Sequence, residues 1–362
     1  MTGLSTSAVS TLVADLIEAE VLVELGTKAS GAGGRPAVAL GLAPRAGSLI
    51  GIHVGHADLR VVLTSLDGTV LMQQRHFLDV DHEPAASLDQ LARSTADLLA
   101  TGDVNRARVL AVGVAVSAPV VDSRMLASPP MLLDWGGVDI AGVLGERTGL
   151  PVHIGNDATL GALAEWRLGA GTAVDDLVYV MLGEGVGCGL VLGSRLHTGA
   201  SGTAGELGHL PVVSDGKICR CGSRGCLETV VSKRALVSAL AHTMGLEARV
   251  DTLLDLADVG DRGALRLLTD AGDVLGKALA GVCTIADPSL VVIGGDLTAR
   301  PESSETLLVA ARQALGQALP PVANHDVQIV RAELGPRAEA LGAALLAASR
   351  SGIRLSEVAE PG

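Results

Sequence analysis

Two short segments, Gly205 to His209 and Cys219 to Glu228, gather one His, three Cys and two Glu. The thiols of Cys219, Cys221 and Cys226 with the imidazole of His209 make a Cys3His set, the ligand number and softness of a closed tetrahedral zinc site. Gly222 and Gly225 let the backbone turn sharply around a small ion. The competing reading is a disulfide with a spare thiol. The chain has five Cys, an odd number, and neither a signal-peptide pattern nor a long apolar span. A reducing cytoplasm, no membrane partner and a structural Zn2+ are therefore expected.

A second group of residues suits polyols. A sugar pocket needs several acceptors aimed at ring hydroxyls, with carboxylates able to take two each. Asn156, Asp157, Glu206, His209 and Glu228 supply that set. An Asn-Asp pair on its own is more often a helix cap, and only its company singles this one out.

At 362 residues with a formal charge of −13, the chain exceeds one ordinary core and offers no broad surface for nucleic acid. Any DNA contact must be local. Aromatics number only four, Phe77, Trp135, Trp166 and Tyr179, against 46 Gly, so the core must be built from Ala, Val and Leu around many tight turns.

The elements that must position these residues follow from periodicity. Val9, Leu12, Val13, Leu16 and Ile17 give the stripe of an amphipathic helix with Ser5 as its N-cap. Val21 to Leu25 and Val38 to Leu42 flank a Gly-rich tip ending Gly33-Gly34-Arg35-Pro36, which reads as the recognition helix and wing of a winged helix. Ser5, Thr6, Ser7, Ser10, Thr11, Lys28 and Arg35 are its candidate DNA contacts. A helix-turn-helix needs a supporting helix first, and four residues precede Ser5, so the module is expected to be partial. Leu49 to Leu71 reads as an antiparallel meander, Ala85 to Ala100 as a helix and Val109 to Val116 as an apolar strand. Ile140 to Thr148 is a helix and Val152 to Ile154 a strand. Leu177 to Leu182, the Gly-rich turn Gly183 to Gly189 and the return strand Leu190 to Leu192 follow. Leu290 to Ile293 and a closing helix from Arg337 to Ala348 complete the pattern.

These segments resemble the ROK family of sugar kinases and sugar-responsive repressors, whose signature pairs Glu-x-Gly-His with Cys-x-Cys-Gly-x-x-Gly-Cys-Leu-Glu. The Gly-Gly-Arg-Pro before the sugar domain and the Asn156-Asp157-Ala158 triplet are also similar to that family. The resemblance implies an α/β, two-lobed actin-like ATPase (ribonuclease H-like) fold preceded by a partial winged helix-turn-helix. It divides the chain into 1–43, a first lobe of 44–156 plus 343–362, and a second lobe of 157–342 with the zinc loop. It also implies that Asp157 is the general base in a kinase, that Glu206, His209 and Glu228 bind the sugar, and that the assembly is a homodimer or homotetramer.

The phosphate side departs from the family's kinases. They open with Asp-x-Gly-x-Thr where this chain reads His53-Val54-Gly55-His56-Ala57, so a hard oxygen ligand for Mg2+ is lost. Gly183-Glu184-Gly185 stands where Gly-Thr-Gly is common and puts a carboxylate toward the γ-phosphate, and Asp296 ends the later turn Gly294-Gly295. Mg-ATP is not expected. The chain reads as a sugar-responsive transcriptional regulator, a repressor taking a sugar or sugar phosphate and operator DNA, and not as an enzyme. The alternative is an ATP-dependent hexose kinase of glucokinase type using Asp157. Cys188 and Cys283, in apolar stretches, are expected to be buried and inert, and His56 to be solvated or capping.

Overall fold

The computed structural model describes residues 5–28, 37–43, 46–101, 104–121, 124–126, 134–245, 247–323 and 326–352. Arg35 lies outside them, as does the side chain of Lys28. Helix α1 (Thr6–Glu18) precedes a hairpin of β1 (Leu22–Lys28) and β2 (Ala37–Leu42). Then come β3 (Ser48–Val54), β4 (Asp58–Ser65), β5 (Val70–Phe77), α2 (Pro84–Thr101), β6 (Val109–Val116), the short pair β7 (Val120–Val121) and β8 (Arg124–Met125), α3 (Ile140–Thr148) and β9 (Val152–Asn156). The second half runs through α4 (Asp157–Leu168), β10 (Leu177–Leu182), β11 (Val186–Val191), α5 (Glu228–Val231), α6 (Lys233–Met244), α7 (Val250–Asp258) and α8 (Arg262–Ala286). It ends with β12 (Leu290–Gly294), α9 (Pro301–Ala318), β13 (Gln328–Arg331) and α10 (Ala338–Arg350).

Two mixed sheets form the frame. In the first, ordered β5-β4-β3-β6-β9, the antiparallel meander runs into parallel β3, β6 and β9. The second, ordered β11-β10-β12-β13, repeats that logic with one antiparallel hairpin and three parallel strands. Every residue of β3, β4 and β12 is buried, as expected for strands covered on both faces. Helices α4 and α10 pack on each other between the sheets: α10 lies on β3 and β6, while α4 lies on β10 and β11.

Close approach at this seam selects the residues. A Cβ on Gly51, Gly113 or Gly342 would overlap the carbonyl of Ala340, Ala343 or Leu160 respectively. Only glycine lets α10 lie that near two strands and a second helix. Gly187 and Gly189 serve the same purpose, since side chains there would strike Ala158 or Ala162 on α4. The sequence reading of Gly183 to Gly189 as one long turn is thereby corrected: the turn is Gly183 to Gly185, and β11 begins at Val186. Helix α10 runs unbroken from Ala338 to Arg350.

Helix α1 has the stripe expected of it, and Ser5 caps it by accepting from the Ala8 amide at 3.3 Å. None of its residues is buried, and Val9 and Leu12 are exposed. Its seating on the rest of the chain runs through the hairpin, where the Ala43 amide donates to Val21 and Arg108 lies 3.6 Å from Glu20.

The seam makes a direct test possible. Gly113→Ala, on β6 against α10, is expected to abolish soluble folded protein or lower Tm by more than about 10 °C through overpacking. Gly281→Ala, in α8 with open space around it, should raise stability by up to about 1 kcal/mol through helix propensity. Thermal unfolding of both proteins checks the pair, and equal behaviour would remove the seam from the account.

Candidate functional site

The parallel strands of the two sheets end on a common cleft. Its walls come from residues just past the carboxyl ends of β3, β6, β9, β10 and β12, namely Gly55, Ser117, Asp157, Gly183 and Gly295, and it opens to solvent between the two sheets. Ligands of open α/β sheets bind in this position, because loops there diverge and helix N-termini point inward.

Asp157 sits on the floor at the first turn of α4 and is 3% exposed. Its Oδ1 accepts from the Ala158 amide at 2.7 Å and its Oδ2 from Ser117 Oγ at 2.6 Å. Asn156 Nδ2 donates to the same Oδ1 at 3.2 Å, and a carboxylate at a helix N-terminus with three donors fixed to it is oriented while keeping a lone pair for a ligand hydroxyl. Asn156 is both cap and cleft residue: its Oδ1 accepts from the Thr159 amide at 3.0 Å while the side chain lines the wall. Glu206 lines the opposite wall, and burial pushes its carboxyl up.

His209 and Glu228, the other two expected sugar ligands, lie one layer behind. Glu228 is buried beneath Gly185, and His209 presents Nε2 to Glu206 Oε2 at 3.7 Å. The other ring nitrogen, Nδ1, faces Cys219 Sγ at 3.6 Å. The imidazole thus joins the carboxylate of the cleft to the thiols of the loop.

The loop itself has the form of a metal centre. The ligand atoms of His209, Cys219, Cys221 and Cys226 all lie within 4.8 Å of one another, with Cys221 and Cys226 sulfurs 3.7 Å apart. A tetrahedral ion with bonds of about 2.3 Å would set its thiolates about 3.8 Å apart. Cys219 Sγ also lies 2.8 Å from Glu228 Oε1, and burial with that carboxylate pushes the thiol up. A cation among the four is what would let these thiols ionise together. The residues present therefore fit a metal ion.

The phosphate end is filled by ion pairs. Lys233 Nζ lies 2.7 Å from Glu184 Oε1 and 2.7 Å from Asp296 Oδ2. Asp296 Oδ1 is 3.4 Å from Arg60, and Arg60 and Arg75 share Asp58 Oδ2 at 2.7 and 2.6 Å. Arg60 also donates to the carbonyl of Pro336. Glu184 is therefore neutralised and does not project bare charge into the turn, as its sequence position suggests. The chain crosses the cleft from β4 to α6. Sequence reasoning missed Arg60, Ser117 and Lys233, which carry no motif. A polar Ser directly after the apolar run of β6 was the one available signal.

Of the remaining expectations, Cys188 and Cys283 are buried, and burial pushes their thiols up to about 12 and about 11. His56 is neither solvated nor a cap: its Nδ1 lies 2.7 Å from Asp81 Oδ1. The hydroxyls of α1 are exposed, although Ser5 is spent on its cap and Ser10 donates to the Thr6 carbonyl.

Two mixed sheets joined by a helical layer, with a cleft at the ends of the parallel strands, define the actin-like ATPase fold. The ROK family model matches residues 49–350, and the chain belongs to that family. It is 29% identical over 342 residues to the xylose repressor of Bacillus subtilis strain 168, covering 94% of this chain and 87% of that one. Among solved structures it is similar to a ROK family glucokinase from Streptomyces griseus in complex with glucose and AMPPNP, with TM-score 0.74, 29% identity and coverage of 84% of this chain and all of that one. It is also similar to a ROK family transcriptional regulator, a homologue of the E. coli MLC protein, with TM-score 0.72, 26% identity and coverage of 96% and 89%.

The ion chain yields a pH-dependent expectation. Burial alone would raise the Asp296 carboxyl, and Lys233 and Arg60 outweigh it and hold the group below its ordinary range. Such a carboxylate stabilises the fold above the ordinary range and ceases to do so as pH falls through its own lower pKa. Lys233→Met should cost about 3 kcal/mol at neutral pH and progressively less in acid, as measured by urea unfolding. A loss that does not shrink in acid would place the damage elsewhere than in these carboxylates.

Proposed function

We propose that the chain is a sugar-responsive transcriptional regulator, a repressor whose two lobes hold a sugar and whose N-terminal helix and hairpin contact operator DNA. The observation that carries this reading is the asymmetry of the cleft. Its sugar end keeps oriented acceptors, Asn156, Asp157 and Glu206, while its phosphate end is closed by Lys233, Glu184 and Asp296 bound to one another. A nucleotide phosphate would have to take Lys233 from two carboxylates and then face both.

On this reading His209 and Glu228 support the sugar ligands from behind, His209 through Nε2 toward Glu206. His209, Cys219, Cys221 and Cys226 hold a structural zinc ion that fixes the loop so Glu206 stays aimed inward. Zinc would supply rigidity there and takes no part in binding. Ser5, Thr6, Ser7, Ser10 and Thr11 with Lys28 and Arg35 contact DNA, chiefly phosphates, since hydroxyls and isolated cations position a protein without reading much sequence. Sugar binding changes the angle between lobes 44–156 plus 343–362 and 157–342, and with it the spacing of two N-terminal modules in a homodimer or homotetramer. The xylose repressor relative favours a sugar as the effector, and the cytoplasm as the compartment follows from DNA as partner.

The second reading, an ATP-dependent hexose kinase, is favoured by Asp157 itself. Its carboxylate, held by Ser117 and the Ala158 amide, could accept the proton of an attacking sugar hydroxyl, and the glucokinase likeness is close. The two readings part on turnover. Metal-loaded protein with Mg-ATP and a panel of hexoses, N-acetylhexosamines and xylose is expected to show no sugar-dependent ATP consumption, whereas turnover lost in Asp157→Asn would establish the kinase. In parallel, sugar should weaken operator binding at least about tenfold, a coupling of about 1.4 kcal/mol.

The metal has its own test. Elemental analysis should find one zinc per chain, lost in Cys226→Ser together with several degrees of Tm. Full stability with no bound metal would reassign the loop to thiol packing.

A further inference from the structure

His53 is the hydrogen-bonding group that the cleft leaves unspent. It stands at the end of β3, lines the cleft, and is 7% exposed. Neither Nδ1 nor Nε2 has a hydrogen-bond partner among the described residues. The nearest carboxylate oxygen, Asp157 Oδ2, is 3.8 Å from Nε2 and already accepts from Ser117, too far for a direct bond. A buried polar nitrogen left without a partner is costly, so the site calls for a group from outside the chain. A hydroxyl fits: one oxygen can lie within about 2.8 Å of both ends of such a gap, and it can donate to one and accept from the other.

The second observation is where the cationic charge has gone. Arg60 and Lys233, the two permanent cations lining the cleft, are bound to Asp58, Asp296 and Glu184. Behind them Arg75 is bound to Asp58 and Arg234 lies 3.7 Å from Glu184. The walls of the sugar end are instead acidic, with Asp157 and Glu206 lining it and Glu339 at its back. A phosphoryl group carries about −1.5 to −2 at neutral pH and is held by cationic donors. Here it would meet carboxylates and compete with Asp58, Asp296 and Glu184 for Arg60, Arg75 and Lys233.

We propose that His53 contacts the effector, and that the effector is an unphosphorylated sugar and not its phosphate ester. The inference rests on the sugar-effector reading above and narrows it. His53 bridges through a ring or exocyclic hydroxyl to Asp157, and the neutral ligand leaves the ion chain from Arg75 to Glu184 undisturbed.

Titration calorimetry on the metal-loaded full chain tests both parts. Xylose, glucose and N-acetylglucosamine are compared with xylose 5-phosphate, glucose 6-phosphate and N-acetylglucosamine 6-phosphate. At least one free sugar should bind, with its own phosphate ester about a hundredfold weaker or worse. His53→Ala should weaken that sugar by about tenfold or more with Tm and metal content unchanged, and His53→Gln should recover part of the loss. A phosphate ester binding more tightly than its parent sugar overturns the inference and leaves the sugar-effector reading in place. Binding within twofold of wild type in His53→Ala, while Asp157→Asn abolishes it, removes His53 from the contact. Failure of every sugar and every ester sinks the sugar-effector reading itself and the inference with it.

Discussion

The shape of the cleft hangs on the distance between α10 and the elements packed against it, chiefly α4, β3 and β6. The helix is almost wholly Ala, Leu and Gly and buries ten residues, and the strands beneath it carry Gly51 and Gly113 where any Cβ would overlap its carbonyls. Backbones this close leave few ways for the layers to slide, because dense packing has discrete solutions. The carboxyl ends of β3 and β6 and the first turn of α4 are fixed by the same seam. His53, Ser117 and Asp157 occupy those three ends, so the floor of the cleft is set by glycine and alanine packing some distance away.

The opposite wall is built differently. Glu206 and Glu184 come from irregular segments, and what holds them is polar: the Cys3His loop behind the first and Lys233 beside the second. Buried ion pairs add little net stability after desolvation, yet breaking one leaves an uncompensated charge. The chain of pairs from Arg75 to Glu184 is thus better understood as fixing a geometry than as supplying energy. It ties β4 of the first sheet to the turns that follow β10 and β12 of the second.

How much of this was legible in the sequence depended on how local each signal was. The four residues that could hold a metal ion fall within 18 residues, His209 to Cys226, and their types alone marked the cluster. Strands and helices with clean periodicity, such as Leu177–Leu182 and Ile140–Thr148, came out with the bounds the structure gives. The Gly-rich run after Leu182 did not, because glycine serves turns and close helix contacts alike and the partner, α4, lies in another segment. The ion chain was invisible for the same reason: Glu184 and Asp296 stood out in their turns, but Arg60 and Lys233, which pair with them, come from distant stretches and belong to no motif. Glu165 is a further case. It reads as an ordinary helix residue, yet it is fully buried and accepts from the amides of Ala170, Glu333 and Leu334, stapling α4 to the loop before α10.

Spatial continuity between two sites does not by itself make them communicate; a shared element with two arrangements is needed. Helix α10 is the element that reaches both ends here. Glu339, in its first turn, lines the cleft and accepts from Tyr179 Oη at 2.9 Å. Ala344, Ala347 and Ala348, toward its last turn, form an apolar cluster with Leu49, Leu66 and Ala111, against which Leu42 at the end of the N-terminal hairpin packs. Because the seam with β3 and β6 resists sliding, α10 and the first sheet must move as one body, and the hairpin is carried with them. A ligand that draws the two sheets together would therefore do its work on the hairpin through rigid-body rotation, with no local change in the hairpin itself.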